Sequence, residues 1–163
     1  MKKDNLKIQI LIENNSKFNN EEMQGKWIKI PTSEETIRKI INSFASVDAP
    51  DSYVYKRCES NCGIFIWSDD DILDFNEKIC FLDKLTTPEE AQALIECLNL
   101  DLTDVIKVVK QGNYEFFPNK TFDDILSEEE LYNIDIADEE DLINNGYSQT
   151  STGVIHLLNE NPE

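Results

Sequence analysis

Residues 25–41 read Gly25-Lys26-Trp27-Ile28-Lys29-Ile30-Pro31-Thr32-Ser33-Glu34-Glu35-Thr36-Ile37-Arg38-Lys39-Ile40-Ile41, and within them the apolar period changes. Gly25 to Ile30 read as a strand, stopped by Pro31, which lacks the N–H a strand ladder needs. Thr32 followed three residues later by Glu35 is a capping box, and Ile37, Ile40, Ile41 and Phe44 then fall at i, i+3, i+4 and i+7, one apolar stripe of a helix. Upstream, Leu6, Ile8, Ile10 and Ile12 alternate with Lys7, Gln9 and Glu13, broken only by Leu11, which predicts a first strand. Downstream, Tyr53-Val54-Tyr55 and Ile64-Phe65-Ile66-Trp67 predict two more, joined through Asn61 and Gly63. Residues 1–67 are therefore expected to form an antiparallel sheet with one helix.

Residues 68–112 change to helical spacing. Ser68 is placed to cap a helix with Asp69-Asp70-Asp71 in its first turn and Ile72, Phe75 and Ile79 on one face. Thr87-Pro88-Glu89-Glu90 forms a capping box before the stripe Ala91, Leu94, Ile95, Leu98. A third stripe, Leu102, Val105, Ile106 and Val109, ends near Gly112. Residues 113–163 mix both patterns. Tyr114, Phe116 and Phe117 read as a strand, and Thr121 to Asp124 and Ser127 to Glu130 as capping signatures. Asp138 to Asp141 open a helix stopped at Gly146, and Gly153 to Leu158 form a last strand. The expected architecture is α+β: an elongated chain of three small modules with boundaries at 67/68 and 112/113.

Charge is the dominant compositional feature. The 163 residues carry 15 Lys and Arg against 33 Asp and Glu, a net of −18. A surface this acidic repels phosphate, which disfavours nucleic acid and anionic membrane as ligands. With 40% apolar residues the chain can still build a core. Residues 1–60 hold 10 basic and 9 acidic side chains, whereas residues 61–163 hold 5 and 24, a net of −19. After Lys120 there are 12 acidic residues and no Lys or Arg. No apolar stretch approaches the roughly 20 residues of a membrane span, and the N-terminus makes a poor signal peptide, so the chain reads as soluble and cytoplasmic.

Catalytic signatures are lacking. The only histidine, His156, sits in an apolar run with no nucleophile identified beside it, and no glycine-rich phosphate loop is present. Cys58 and Cys62 make one close pair, where zinc sites commonly want two, so reduced thiols are expected and no metal or cofactor is assigned. Acidic first turns suit helix N-termini, which explains each carboxylate cluster singly but not the lack of balancing cations. Duplex DNA carries one charge per ~1.7 Å of axis, so −18 along one face matches ~30 Å of duplex. A fold presenting carboxylates at that spacing can take the place of DNA in the groove of an enzyme, with no catalytic residue required.

Residues 8–31 resemble the opening of the ArdA-type antirestriction proteins. In that family a first strand leads to an aromatic-Asn-Asn or aromatic-Asn-Glu turn, then a Gly-x-Trp strand and a helix rich in Glu. Phe18-Asn19-Asn20, Gly25-Lys26-Trp27 and Glu34-Glu35-Thr36-Ile37 are the matching positions. Asp101-Leu102-Thr103-Asp104-Val105-Ile106 before Gly112-Asn113-Tyr114 looks like the family's Leu-x-Asp-Val helix followed by Gly-Asp-Tyr. The resemblance implies a non-enzymatic mimic of B-form DNA, an elongated homodimer that blocks the methyltransferase core of type I restriction-modification enzymes. The carboxylates expected to form the mimic surface are Asp123, Asp124, Glu128, Glu129, Glu130, Asp138, Glu139, Glu140 and Asp141. Asp69, Asp70, Asp71, Asp74 and Glu77 form a second cluster. Other readings are mimicry aimed at a CRISPR effector or nucleoid protein, or an acidic immunity protein that masks a basic nuclease toxin.

Overall fold

The computed structural model describes residues 5–14, 25–44, 53–127 and 138–158. They form an α+β fold in two compact units, Met1–Lys84 and Leu85–Glu163.

In the first unit, β1 (Ile8–Asn14) lies between β2 (Gly25–Ile30) and β3 (Tyr53–Ser60), antiparallel to both. Ile8, Ile10 and Ile12 point to one face with Ile28 and Ile30, and all five are buried. This is what period-two alternation in a half-covered sheet requires. Leu11, which broke the alternation, sits on the opposite face between Trp27 and Arg57, next to a register shift against β3. Two helices supply further buried side chains: Ile37 from α1 (Glu34–Phe44), and Ile72, Phe75, Ile79 and Leu82 from α2 (Ile72–Leu85). Asn76 of α2 is itself buried and clasps Thr32 at both ends, donating to its carbonyl at 2.8 Å and accepting its N–H at 2.9 Å. Asp83 accepts the N–H of Leu6 at 2.8 Å.

The second unit is layered. Its sheet runs β4 (Tyr114–Pro118), β6 (Gly153–Leu157), β5 (Tyr147–Gln149), all antiparallel. On one face α3 (Pro88–Cys97) contacts β6 and β4, with α4 (Leu102–Gln111) beside α3. On the other, Phe122 and Ile125 of α5 (Phe122–Leu126) and Leu142 of α6 (Glu139–Asn144) bury against Tyr147 and Val154. Gly153 is needed where β6 meets β4, since a Cβ there would lie 2.3 Å from the Phe117 carbonyl oxygen.

Four expectations change. Ser33, not Thr32, caps α1, accepting the Thr36 N–H at 3.1 Å, because the Thr32 amide is already held by Asn76. Ile64 to Trp67 form no strand. Ser60 Oγ accepts the N–H groups of Cys62 and Ile64, turning the chain away after β3, while Ile64 and Ile66 are buried. Asp69–Asp71 precede α2 instead of forming its first turn. The expected middle module of residues 68–112 is divided: α2 is tied to the first sheet through Asn76 and Asp83, whereas α3 and α4 belong with the second sheet. The signatures at Phe18–Asn20 and Ser127–Glu130 lie, wholly or in part, outside the described residues.

Candidate functional site

Divided at Lys84, the chain's charge separates sharply. Residues 1–84 hold 12 basic and 15 acidic side chains, a net of −3, while residues 85–163 hold 3 and 18, a net of −15. In the first unit several cations are matched locally: Arg38 with Glu34, Lys39 with Glu35, Lys56 with Glu13, Arg57 with Glu59 and Lys78 with Asp74.

The second unit places its predicted carboxylates at the starts of two short helices. Thr121 and Asp124 form a complete capping box, the Thr121 side chain accepting the Asp124 N–H and Asp124 accepting the Thr121 N–H. Asp138 caps α6 by accepting the Asp141 N–H at 3.0 Å. Asp123, Glu139 and Glu140 are exposed and have no hydrogen-bond or ion-pair partner for their side chains among the described residues. Because α5 and α6 share one apolar cluster, the fold brings these two acidic turns onto the same face of the sheet. Glu128, Glu129 and Glu130 lie outside the described residues.

The second cluster belongs to the first unit and is more committed to local structure. Asp70 accepts the Trp67 N–H at 2.7 Å, Asp71 accepts that of Leu73 at 3.1 Å, and Asp74 pairs with Lys78 at 3.2 Å. Asp69 and Glu77 are exposed. Among the described residues the predicted carboxylates thus divide by duty: some satisfy backbone N–H groups or a lysine, and others, Asp123, Glu139 and Glu140 among them, are exposed with no side-chain partner.

Residues not anticipated from sequence line an open groove of about 820 Å³ in the second unit. Glu89 and Glu90 of α3, Gly112, which closes α4 in the left-handed conformation (φ 69°), and Tyr114, Phe116 and Pro118 of β4 all line it. The Tyr114 hydroxyl donates to the Glu90 carboxylate. Burial, followed by that carboxylate's hydrogen bond and charge, pushes the Tyr114 phenol well above its ordinary pKa. Twenty-four residues separate the two partners, so no local pattern announces the pair.

His156 is held as a structural residue. Its ring stacks on Tyr147 with centroids 3.8 Å apart and planes within 6°. Nδ1 lies 3.4 Å from Glu115 and Nε2 3.1 Å from the Asn145 carbonyl. Burial raises the pKa of Cys58, Cys62 and Cys80. Among the described residues no three His, Cys, Asp or Glu side chains are grouped to hold a metal ion, and no helix is long and apolar enough to cross a membrane. Compared with models of known protein families and with curated proteins, the chain matches none.

Proposed function

We propose that this chain is a DNA-mimic antirestriction protein that acts in the cytoplasm and fills the DNA-binding groove of a type I restriction-modification enzyme. The observation that carries the reading is the concentration of −15 in Leu85–Glu163, with Asp123, Glu139 and Glu140 exposed and their side chains without a hydrogen-bond or ion-pair partner among the described residues. At one charge per ~1.7 Å, that is the charge of about 26 Å of duplex. The resemblance to the ArdA-type family supports the same reading. Gly25-Lys26-Trp27 lies on β2 ahead of α1, and the Asp101–Ile106 motif forms the start of α4 before Gly112 and Tyr114. In this reading the carboxylates meet the Lys and Arg side chains that would otherwise hold phosphate, and no bond is made or broken. The acting form is a homodimer.

The test is competition on the methyltransferase core of a type I enzyme, with a labelled duplex followed by fluorescence anisotropy. The chain is expected to displace the duplex, unlabelled duplex to reverse this, and rising salt to weaken the complex. A complex that still binds DNA with unchanged affinity overturns the proposal.

A further inference from the structure

The groove beside Glu90 differs in chemistry from the rest of the acidic surface. On α5 and α6, Asp123, Glu139 and Glu140 stand in open solvent, where water screens each charge and no geometry is imposed on what they meet. In the groove, Glu90 is only partly exposed, and Tyr114 fixes its orientation by donating to it. A carboxylate has about four acceptor positions, so one phenol leaves most of them available. Glu89 stands next to it on the first turn of α3, exposed and with no side-chain partner among the described residues. The helix N-terminus opposes a cation at this point, and the two carboxylates outweigh it. Phe116 and Pro118 line the same groove with apolar surface.

A compact, strongly hydrated ammonium gains little from apolar walls. A planar guanidinium suits both halves of the groove: its N–H fork pairs with carboxylate oxygens and its flat face packs on an aromatic ring. The volume leaves room for the aliphatic stem and the adjoining backbone. We propose that this groove is a subsite for one arginine side chain presented by the protein partner, with Glu89 and Glu90 receiving the guanidinium and Phe116 its face. The inference rests on the mimicry reading in taking the partner to be a protein with exposed basic residues. It goes beyond that reading in assigning a discrete anchor within an otherwise distributed surface.

The full-length chain, labelled with ¹⁵N, is titrated with acetyl-Gly-Arg-Gly-amide and, separately, with the same peptide carrying citrulline, the neutral isostere of arginine. Saturable amide shifts centred on Glu90, Gly112, Tyr114 and Phe116 are expected with arginine and not with citrulline. Glu89→Gln and Phe116→Leu, neither of which touches the Tyr114–Glu90 bond, are each expected to weaken the interaction several-fold while leaving the other amide resonances in place. Shifts spread over α5 and α6 with no preference for the groove, equal responses to arginine and citrulline, or indifference to both substitutions would overturn the site. Duplex displacement is measured on the same samples. Displacement without groove specificity removes the arginine site alone, and groove binding without displacement removes the mimicry alone.

Discussion

If the acidic residues divide by duty, neutralising them must separate stability from binding. The informative comparison sets Asp138→Ala against the triple change Asp123→Asn, Glu139→Gln, Glu140→Gln. Asp138 accepts the Asp141 N–H at 3.0 Å, and α6 has only six residues to hold its place. Removing such a cap costs ~1 kcal/mol, which for a unit of this size lowers the melting temperature by about 4–8 °C. The triple variant removes no hydrogen bond described in the fold. It loses some favourable interaction with the α6 N-terminus but relieves like-charge repulsion, so its stability should stay within about 0.5 kcal/mol of the parent. It also takes the unit from −15 to −12. Exposed ion pairs contribute ~0.2–1 kcal/mol each, so three lost pairs weaken partner binding by about 3- to 150-fold. Thermal unfolding by circular dichroism and the displacement assay on the same preparations read the two effects. A triple variant that melts as early as Asp138→Ala would show that these carboxylates hold the fold together. One that displaces DNA as well as the parent would remove α5 and α6 from the contact surface.

Three further outcomes follow from particular bonds. Asn76→Ala leaves the part-buried N–H and carbonyl of Thr32 without their partner and should cost about 1–3 kcal/mol, visible as a lower urea midpoint; an unchanged midpoint would mean that water replaces the amide at no cost. The raised Tyr114 pKa makes its contribution complete below pH ~10 and lost above it, because the unfolded phenol then ionises first; Tyr114→Phe should flatten that alkaline decline in a pH series of melting temperatures. Burial raises the Glu96 pKa, but the Ser151 hydroxyl and N–H and the Gln92 amide outweigh it and hold the group below its usual range. Its contribution is therefore present above the unfolded carboxylate pKa and lost as pH falls through the folded one, so Glu96→Gln should shrink the acid-side loss of stability.

What could be read in advance was local. Thr87, Asp101, Thr121 and Asp138 each bond an N–H three residues ahead, so their helices are announced by neighbours in the chain. The long-range bonds were not legible. Thr32 presents a good capping sequence, yet its amide is claimed by Asn76, 44 residues away, and the cap passes to Ser33. Ile64 and Ile66 alternate as a strand would, but burial of alternate residues needs a core and not a ladder partner. β5, at three residues, is too short for periodicity to register. The acidic residues were visible as a total, while their division between caps, ion pairs and open solvent depended on which backbone N–H groups the fold left nearby.

Both tryptophans, Trp27 and Trp67, lie in Met1–Lys84, and both are exposed, at 41% and 57%. Leu85–Glu163 has only phenylalanine and tyrosine. Indole is therefore confined to the first half, while three of the five tyrosines lie in the second. Indole emission follows one and tyrosine absorbance weighs toward the other, so noncoincident transitions at the two wavelengths would expose stepwise melting without any label.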